Sequence, residues 1–388
     1  MKKPSFKITP FGKTKYGEKA RKFTLSGAGG VVMEVSDYGG KIIRLLTPDR
    51  AGKMKDVVVG FDSPAGWDLG DPYWGCIIGR YGNRIAKGEF KLNGKKIKLP
   101  ALNNAPAGIG CNLHGGARGW NAYVWGAKPF VRGTDVGVVF THVSPDGDEG
   151  FPGRVEVKVT YTLTKDNVWR VEYEAVPDKD TPINMTQHVY FNFKGEAGGT
   201  IEDHILKIAA SKFTPTDKGQ IPTGKVVSVA KTPFDFRKGM RIGEMINAAN
   251  KDLEIGRGYD HNWVLEKKGL GIRDQGSGMK VSKNVQFAGC LTYPLNGRKV
   301  EVWTTEPCLQ VYTANWCDYN QTAKGGEHLS FRCGVALETQ HAPDSPNKPQ
   351  WPTTIVKAGQ LYRTTTEFRF GVRTPSSTTS STGSVRTS

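Results

Sequence analysis

The chain has 388 residues, 37% of them apolar, and its 54 basic and 37 acidic residues leave a formal charge of +17. The charge is spread along the whole length, with no arginine-rich arm, no RNA-binding aromatic signature and no C-x-x-C finger, so nucleic-acid recognition is set aside. There is no apolar run of 18 residues, so no membrane-spanning helix is expected.

The 48 Gly and 22 Pro punctuate many short apolar runs, which points to an all-β protein. In chain order the strand-like runs are Gly30–Gly39, Lys55–Phe61, Gly88–Pro100, Val136–Val143, Gly153–Thr164, Val168–Val176 and Lys299–Thr304. Most alternate apolar with polar residues or are rich in Val, Thr and aromatics. Asn93-Gly94 suits the positive φ values of a tight turn, so Phe90–Leu92 and Ile97–Leu99 are expected to form a hairpin. The best helical segment is Gly239–Asn250. No fixed-period repeat or long linker divides the chain. One large antiparallel β-sandwich with few short helices, spanning residues 1–373, is the economical architecture. The Ser/Thr-rich tail from Thr374 to Ser388 lacks the apolar residues to repay its ordering, so disorder is expected there.

The six cysteines (Cys76, Cys111, Cys290, Cys308, Cys317 and Cys333) fit no zinc or redox spacing. Free thiols in a reducing cytoplasm are the simplest expectation, and the even count leaves disulfides open. The N-terminal stretch is basic but has no apolar signal-peptide core. A secreted or periplasmic location would need a leader removed ahead of this numbering.

Several polar residues are not explained by strands and turns. Arg80 and Arg84 flank Asn83 in Gly79–Arg84, and forked guanidinium donors suit hydroxyls or anions as well as solvent. His114 precedes Gly115-Gly116, where glycines permit tight backbone geometry and close approach of a ligand. Phe151 follows an acidic turn and either stacks on a ligand or anchors its loop. His188 lies within the alternating run Met185–Phe193, where a lone histidine reads equally as a packed residue. Asp260 and His261 precede an apolar run. Gln310 and Asn315 lie in Leu309–Trp316. Glu338 sits inside the strand-like Val335–Glu338, and a buried carboxylate is expensive unless paired. There is no nucleophile elbow, phosphate loop or H-E-x-x-H metal spacing. The set suits a neutral, hydroxyl-rich ligand and proton transfer.

In this order, GRYGNRIAKGEFKLNGKKIKLP, NLHGG, GFPG, NMTQHVYFNFKG, GYDHNWVL, LQVYTANW, GVALETQHAPDSPN and WPTTIVKAGQLYRTTTEFRF resemble the aldose 1-epimerase (galactose mutarotase) family over about residues 20 to 371. The resemblance implies a galactose-mutarotase-type β-sandwich that interconverts the anomers of free hexoses without cofactor or metal, as a monomer or weak homodimer. It implies His188 as general acid and Glu338 as general base. It also implies Asn83, Arg84, His114, Asp260 and Gln310 as sugar-binding residues. Two departures stand out. Gly82 replaces the family's usual alanine, one methyl that is expected not to matter. The segment Ala105–Cys111 is longer and richer in glycine than expected, which affects the rim of the site.

Overall fold

The computed structural model describes residues 2–69, 73–266, 284–317, 322 and 324–373. The tail expectation for 374–388 lies outside the described residues. The dominant element is a nine-stranded antiparallel sheet. It contains the long hairpins Asp135–Ser144, Val155–Leu163 and Val168–Pro177, followed by Tyr362–Val372 and Arg298–Thr304. A seven-stranded sheet includes Lys212–Thr214, Asp260–Val264, Cys308–Tyr312, Val335–Gln340, Tyr190–Phe191 and Val58–Val59 as neighbours in that order. A five-stranded sheet from the first 56 residues joins the same core through Phe23, Leu25, Met33 and Val35.

Alternation explains how the two large sheets meet. On the nine-stranded sheet, Val159, Tyr161, Val171, Tyr173, Val300, Val302 and Phe368 enter the core. On the seven-stranded sheet, Trp263, Leu309, Val311, Val335 and Leu337 enter it from the other side. Contacts cross between the sheets: the rings of Phe191 and Phe368 lie 5.7 Å apart, and the hydroxyls of Thr339 and Thr366 are hydrogen-bonded at 2.5 Å. Since side chains alternate with period 2, the intervening residues of the seven-stranded sheet face away from this core. Those residues are Asp260, Asn262, Gln310, Tyr312, Ala336 and Glu338.

The Asn93-Gly94 hairpin forms as expected, between Glu89–Leu92 and Lys95–Lys98, with φ of 49° and 77° at the turn. The helix expected at Gly239–Asn250 does not form as one element. Met240–Arg241 is a short strand, Ile242–Met245 is one helical turn, and a second helix begins at Lys251. Asn250 is the reason for that later start: its side chain accepts from the backbone N–H groups of Asp252 and Leu253, which is the work of an N-cap rather than a helix interior. The run around His188 also differs from a continuous strand. Thr186–Gln187 pairs with Ile77–Ile78, whereas Tyr190–Phe191 pairs with Val335–Ala336 and Val58–Val59. His188 and Val189 lie between these pairings. No disulfide joins the six cysteines. Among the described residues no helix is long and apolar enough to cross a membrane.

Candidate active site

The outward face of the seven-stranded sheet forms one wall of a cavity of about 370 Å³. Ladder register sets two rows on that face of the sheet. Asn262, Gln310 and Glu338 are direct cross-strand neighbours, and so are Asp260, Tyr312, Ala336 and Tyr190. The opposite wall comes from the turn carrying Asn83 and Arg84, from His114 and Tyr73, and from loops bearing Asn104 and Gln220. Residues more than 200 positions apart therefore line one space.

His188 is held by its backbone and by its ring. Its N–H donates to the Cys76 carbonyl at 3.0 Å, and its carbonyl accepts from Gly75 N–H at 2.9 Å. Its imidazole stacks between Tyr190, with centroids 5.0 Å apart, and Tyr73 at 6.3 Å. These contacts aim Nε2 at Glu338, whose Oε1 lies 3.6 Å away. Both side chains are buried, and neither His188 Nδ1 nor Glu338 Oε2 has a hydrogen-bond partner. Burial moves both titrations. It lowers His188 to about 4, against the smaller pull of its own carbonyl and of Asp260. It raises Glu338 well above the usual carboxyl range, with Asp260 adding to the rise and Arg84 opposing it. Burial thus favours the uncharged form of each group, a neutral imidazole and a protonated carboxyl. The proton count is the same as for a carboxylate beside an imidazolium, so the pair holds one proton in either form.

His114 is set by a reciprocal backbone arrangement. Its N–H donates to the Asn83 carbonyl at 3.2 Å, and its Nδ1 accepts from Asn83 N–H at 3.1 Å. Both residues have positive φ, 53° and 64°. Gly115 follows at φ 88°, where a Cβ would sit 2.2 Å from the Gly79 carbonyl oxygen. This is the tight geometry that the Gly-Gly pair permits. Burial, then the neighbouring His188 and Arg84, lower His114 well below its ordinary value, so the ring is neutral. With Nδ1 accepting, the hydrogen-bond network assigns the single ring proton to Nε2. His114, His188 and Glu338 offer ligand atoms within 4.8 Å of one another. A metal on His114 would have to displace either that proton or the Asn83 bond, so His114 fits the role of hydrogen-bond donor better than that of ligand.

Arg84 crosses the far part of the cavity. Nε donates to Asn104 Oδ1 at 3.0 Å, and Nη2 donates to Gln220 Oε1 at 2.5 Å and to Asp260 Oδ2 at 3.3 Å. Asp260 Oδ1 accepts from Gln310 Nε2 at 2.6 Å. Gln310 is 2% exposed and stands behind Asp260 rather than on the cavity surface.

Of the seven residues singled out by resemblance, Asn83, Arg84, His114, His188, Asp260 and Glu338 line the cavity, and Gln310 backs it. Four other polar or aromatic candidates are elsewhere. The buried Arg80 donates to the Pro152 and Gly153 carbonyls and to Ser144 Oγ, pinning a loop. Phe151 packs with Tyr81, Ile85 and Phe90 as a loop anchor. His261 faces the core side and accepts from Asp260 N–H through Nδ1. Asn315 donates to the Gly256 and Tyr259 carbonyls. Tyr73, Asn104, Gln220, Tyr312 and Trp316 also line the cavity and were not picked out. The closest signal was the unusual segment ending at Cys111, which supplies Ala105 and Pro106 to the rim. Gly82 is less free than its one-methyl difference implied. A Cβ there would lie 3.0 Å from the Asn184 carbonyl oxygen.

A family model described as Aldose 1-epimerase matches residues 21–369. A galactose mutarotase from Bos taurus is 38% identical over 340 residues, which is 88% of this chain and 91% of that protein. An aldose 1-epimerase from Escherichia coli K12 is 34% identical over 356 residues, 91% and 96% respectively. Among solved structures, a galactose 1-epimerase from Lactobacillus acidophilus superposes with a TM-score of 0.79 at 24% identity, covering 96% of this chain and all (100%) of that one. An aldose epimerase homologue from C. elegans gives 0.77 at 25% identity with the same coverage.

Proposed function

This chain belongs to the aldose 1-epimerase family, and we propose that it interconverts the α and β anomers of free hexoses such as galactose and glucose. The observation that carries this reading is the buried His188–Glu338 pair, 3.6 Å apart and lining the cavity. Mutarotation opens and recloses a ring. The C1 hydroxyl loses a proton, the ring oxygen O5 gains one, and the C1–O5 bond breaks to give the open aldehyde. Rotation about C1–C2 presents the other carbonyl face, and closure reverses both transfers. The reaction neither consumes nor releases protons, and a one-proton pair needs nothing more to run it.

In the proposed cycle Glu338 takes the proton from O1 and His188 gives one to O5, with the roles exchanged on closure. The neutral pair reaches the reactive form by moving its proton from Glu338 to His188. Asp260 favours that move at His188 but opposes it at Glu338, where Arg84 favours it. Each group acting in general acid–base catalysis contributes roughly 10²- to 10⁴-fold. The Nε2–H of His114 donates to the sugar close to the ring. Arg84, Asn83 and Asp260 grip hydroxyls at the end remote from C1, so rotation about C1–C2 stays free. Arg84 is the one lysine or arginine among the described residues lining the cavity, and three of its contacts are already made. That weighs against a sugar phosphate as substrate.

Polarimetry on freshly dissolved α-D-galactose and α-D-glucose tests the proposal. Equilibration faster than in buffer alone is expected. A folded protein that leaves both rates at the buffer value would overturn it. A sugar complex with Arg84 and Asp260 beside C1 would overturn the placement of the remote end.

A further inference from the structure

Arg84 and Asp260 are buried neighbours of opposite charge, at 7% and 8% exposure, joined by a single contact. Their one contact, Nη2 to Oδ2, is 3.3 Å long, whereas charge-assisted N–H···O bonds normally run about 2.7–2.9 Å and Arg–carboxylate pairs readily become bidentate. Each partner is also held by a glutamine, Gln220 from within the cavity lining and Gln310 from behind it. Gln220 Oε1 takes Arg84 Nη2 at 2.5 Å, and Gln310 Nε2 takes Asp260 Oδ1 at 2.6 Å. Asn104 fixes the Nε edge of the guanidinium at 3.0 Å. We infer that Gln220 and Gln310 are positioning residues that hold the Arg84–Asp260 pair open, so that both charged groups keep hydrogen-bonding capacity for sugar hydroxyls. The inference rests on the reading of Arg84 and Asp260 as sugar-binding residues.

Donor bookkeeping supports it. A guanidinium has five N–H donors. Nε–H and the two on Nη2 are engaged, and none of these bonds uses the two on Nη1. A closed, two-pronged pair would bring Asp260 onto Nη1 or draw Nη2 away from Gln220. Either change takes donors and lone pairs that the cavity otherwise presents. Gln220 is well supported for this task. It is 3% exposed, with φ of 57°, in a turn where Asp217 Oδ1 accepts from Gly219 and Ile221 N–H at 2.8 and 3.1 Å. Gln310 is fixed in the ladder between Asn262 and Glu338.

The test compares Gln220→Leu with Gln220→Glu, using α-D-galactose polarimetry to separate kcat from KM. Leucine releases the guanidinium, and the pair closes. KM is expected to rise at least tenfold with kcat within about threefold, and the thermal midpoint should hold or rise. Glutamate still accepts from Nη2 and should restore KM to within about threefold of wild type. Gln310→Met, which releases Asp260, should repeat the leucine pattern. An unchanged KM in folded Gln220→Leu overturns the inference, and so does a parallel fall in kcat that glutamate does not rescue. If Gln220→Leu does not fold, Gln310→Met decides by the same criteria. Arg84→Lys separates the two levels. If it leaves KM unchanged, the sugar-binding reading itself fails. If it raises KM while the glutamine variants do not, only the positioning inference fails.

Discussion

Replacing Glu338 by glutamine separates chemistry from stability. The side chain is 2% exposed, and burial favours its protonated form. Glutamine has nearly the same shape as a carboxylic acid but cannot exchange the proton. Loss of a general base is worth roughly 10²- to 10⁴-fold in kcat, or about 3–5.5 kcal/mol of barrier. Stability should move the other way. An unfolded glutamate ionises near 4.5, while the folded one resists ionisation. Folding therefore carries a penalty that is absent at pH 4. It grows as pH rises above 4.5, by about 1.4 kcal/mol per tenfold gap in proton affinity, until the raised folded value is reached. Glu338→Gln removes that penalty. Polarimetry should show the rate lost, and urea titrations at pH 4 and pH 7.5 should show the variant gaining on wild type only at the higher pH. A folded variant with wild-type turnover refutes the base assignment. A variant that loses stability relative to wild type at pH 7.5 refutes the neutral, desolvated carboxyl.

Other variants probe separate parts of the structure. The double variant Glu338→Gln with His188→Asn should be no slower than the worse single one within about threefold, since one proton serves both groups; multiplied losses would mean that they act independently. Lys324 is fully buried, its Nζ on the Ile43 and Val58 carbonyls at 2.6 and 3.0 Å and on Asp56 at 2.8 Å. Lys324→Met should cost about 3–5 kcal/mol in urea unfolding, because it takes the nearest cation from the carboxyl groups of Asp56 and Glu196. Burial lowers His142 to about 4, so the unfolded chain binds more protons than the folded one between about pH 4 and 6.5. Relative to His142→Phe, wild type should lose about 1.4 kcal/mol for each pH step below 6.5 and nothing above it, as read from urea midpoints across pH 4–8.

The legibility of this protein followed the physics of each segment. The Asn93-Gly94 hairpin was plain because the turn demands positive φ and the residues supply it. Glu338 was exposed as unusual by its place in a period-2 run, and the strand Val335–Gln340 indeed carries it. The environment of His188 was harder to read. Both faces of its segment are buried and its pairing partner changes within five residues, so alternation no longer reports which way a side chain points. Arg80 and Arg84 looked equivalent in sequence, four residues apart. One pins loops and the other lines the cavity, and the positive φ of Asn83, 64°, lies between them. Gln220 and Asn104 gave no signal at all. An amide in a loop has the same appearance whether it caps a turn or holds a guanidinium 2.5 Å away.

Neighbouring residues on the strand Val335–Gln340 serve opposite faces: Thr339 bonds Thr366 across the interior while Glu338 faces the cavity. The reactive carboxyl thus takes its position from a ladder, paired residue by residue from Cys308–Gln340 to Tyr312–Ala336, and not from the connection that precedes it. One residue added inside the ladder would exchange Leu337 for Glu338 and turn the carboxyl into the core. In an evolutionary record of this architecture, the parity of the strand should stay frozen.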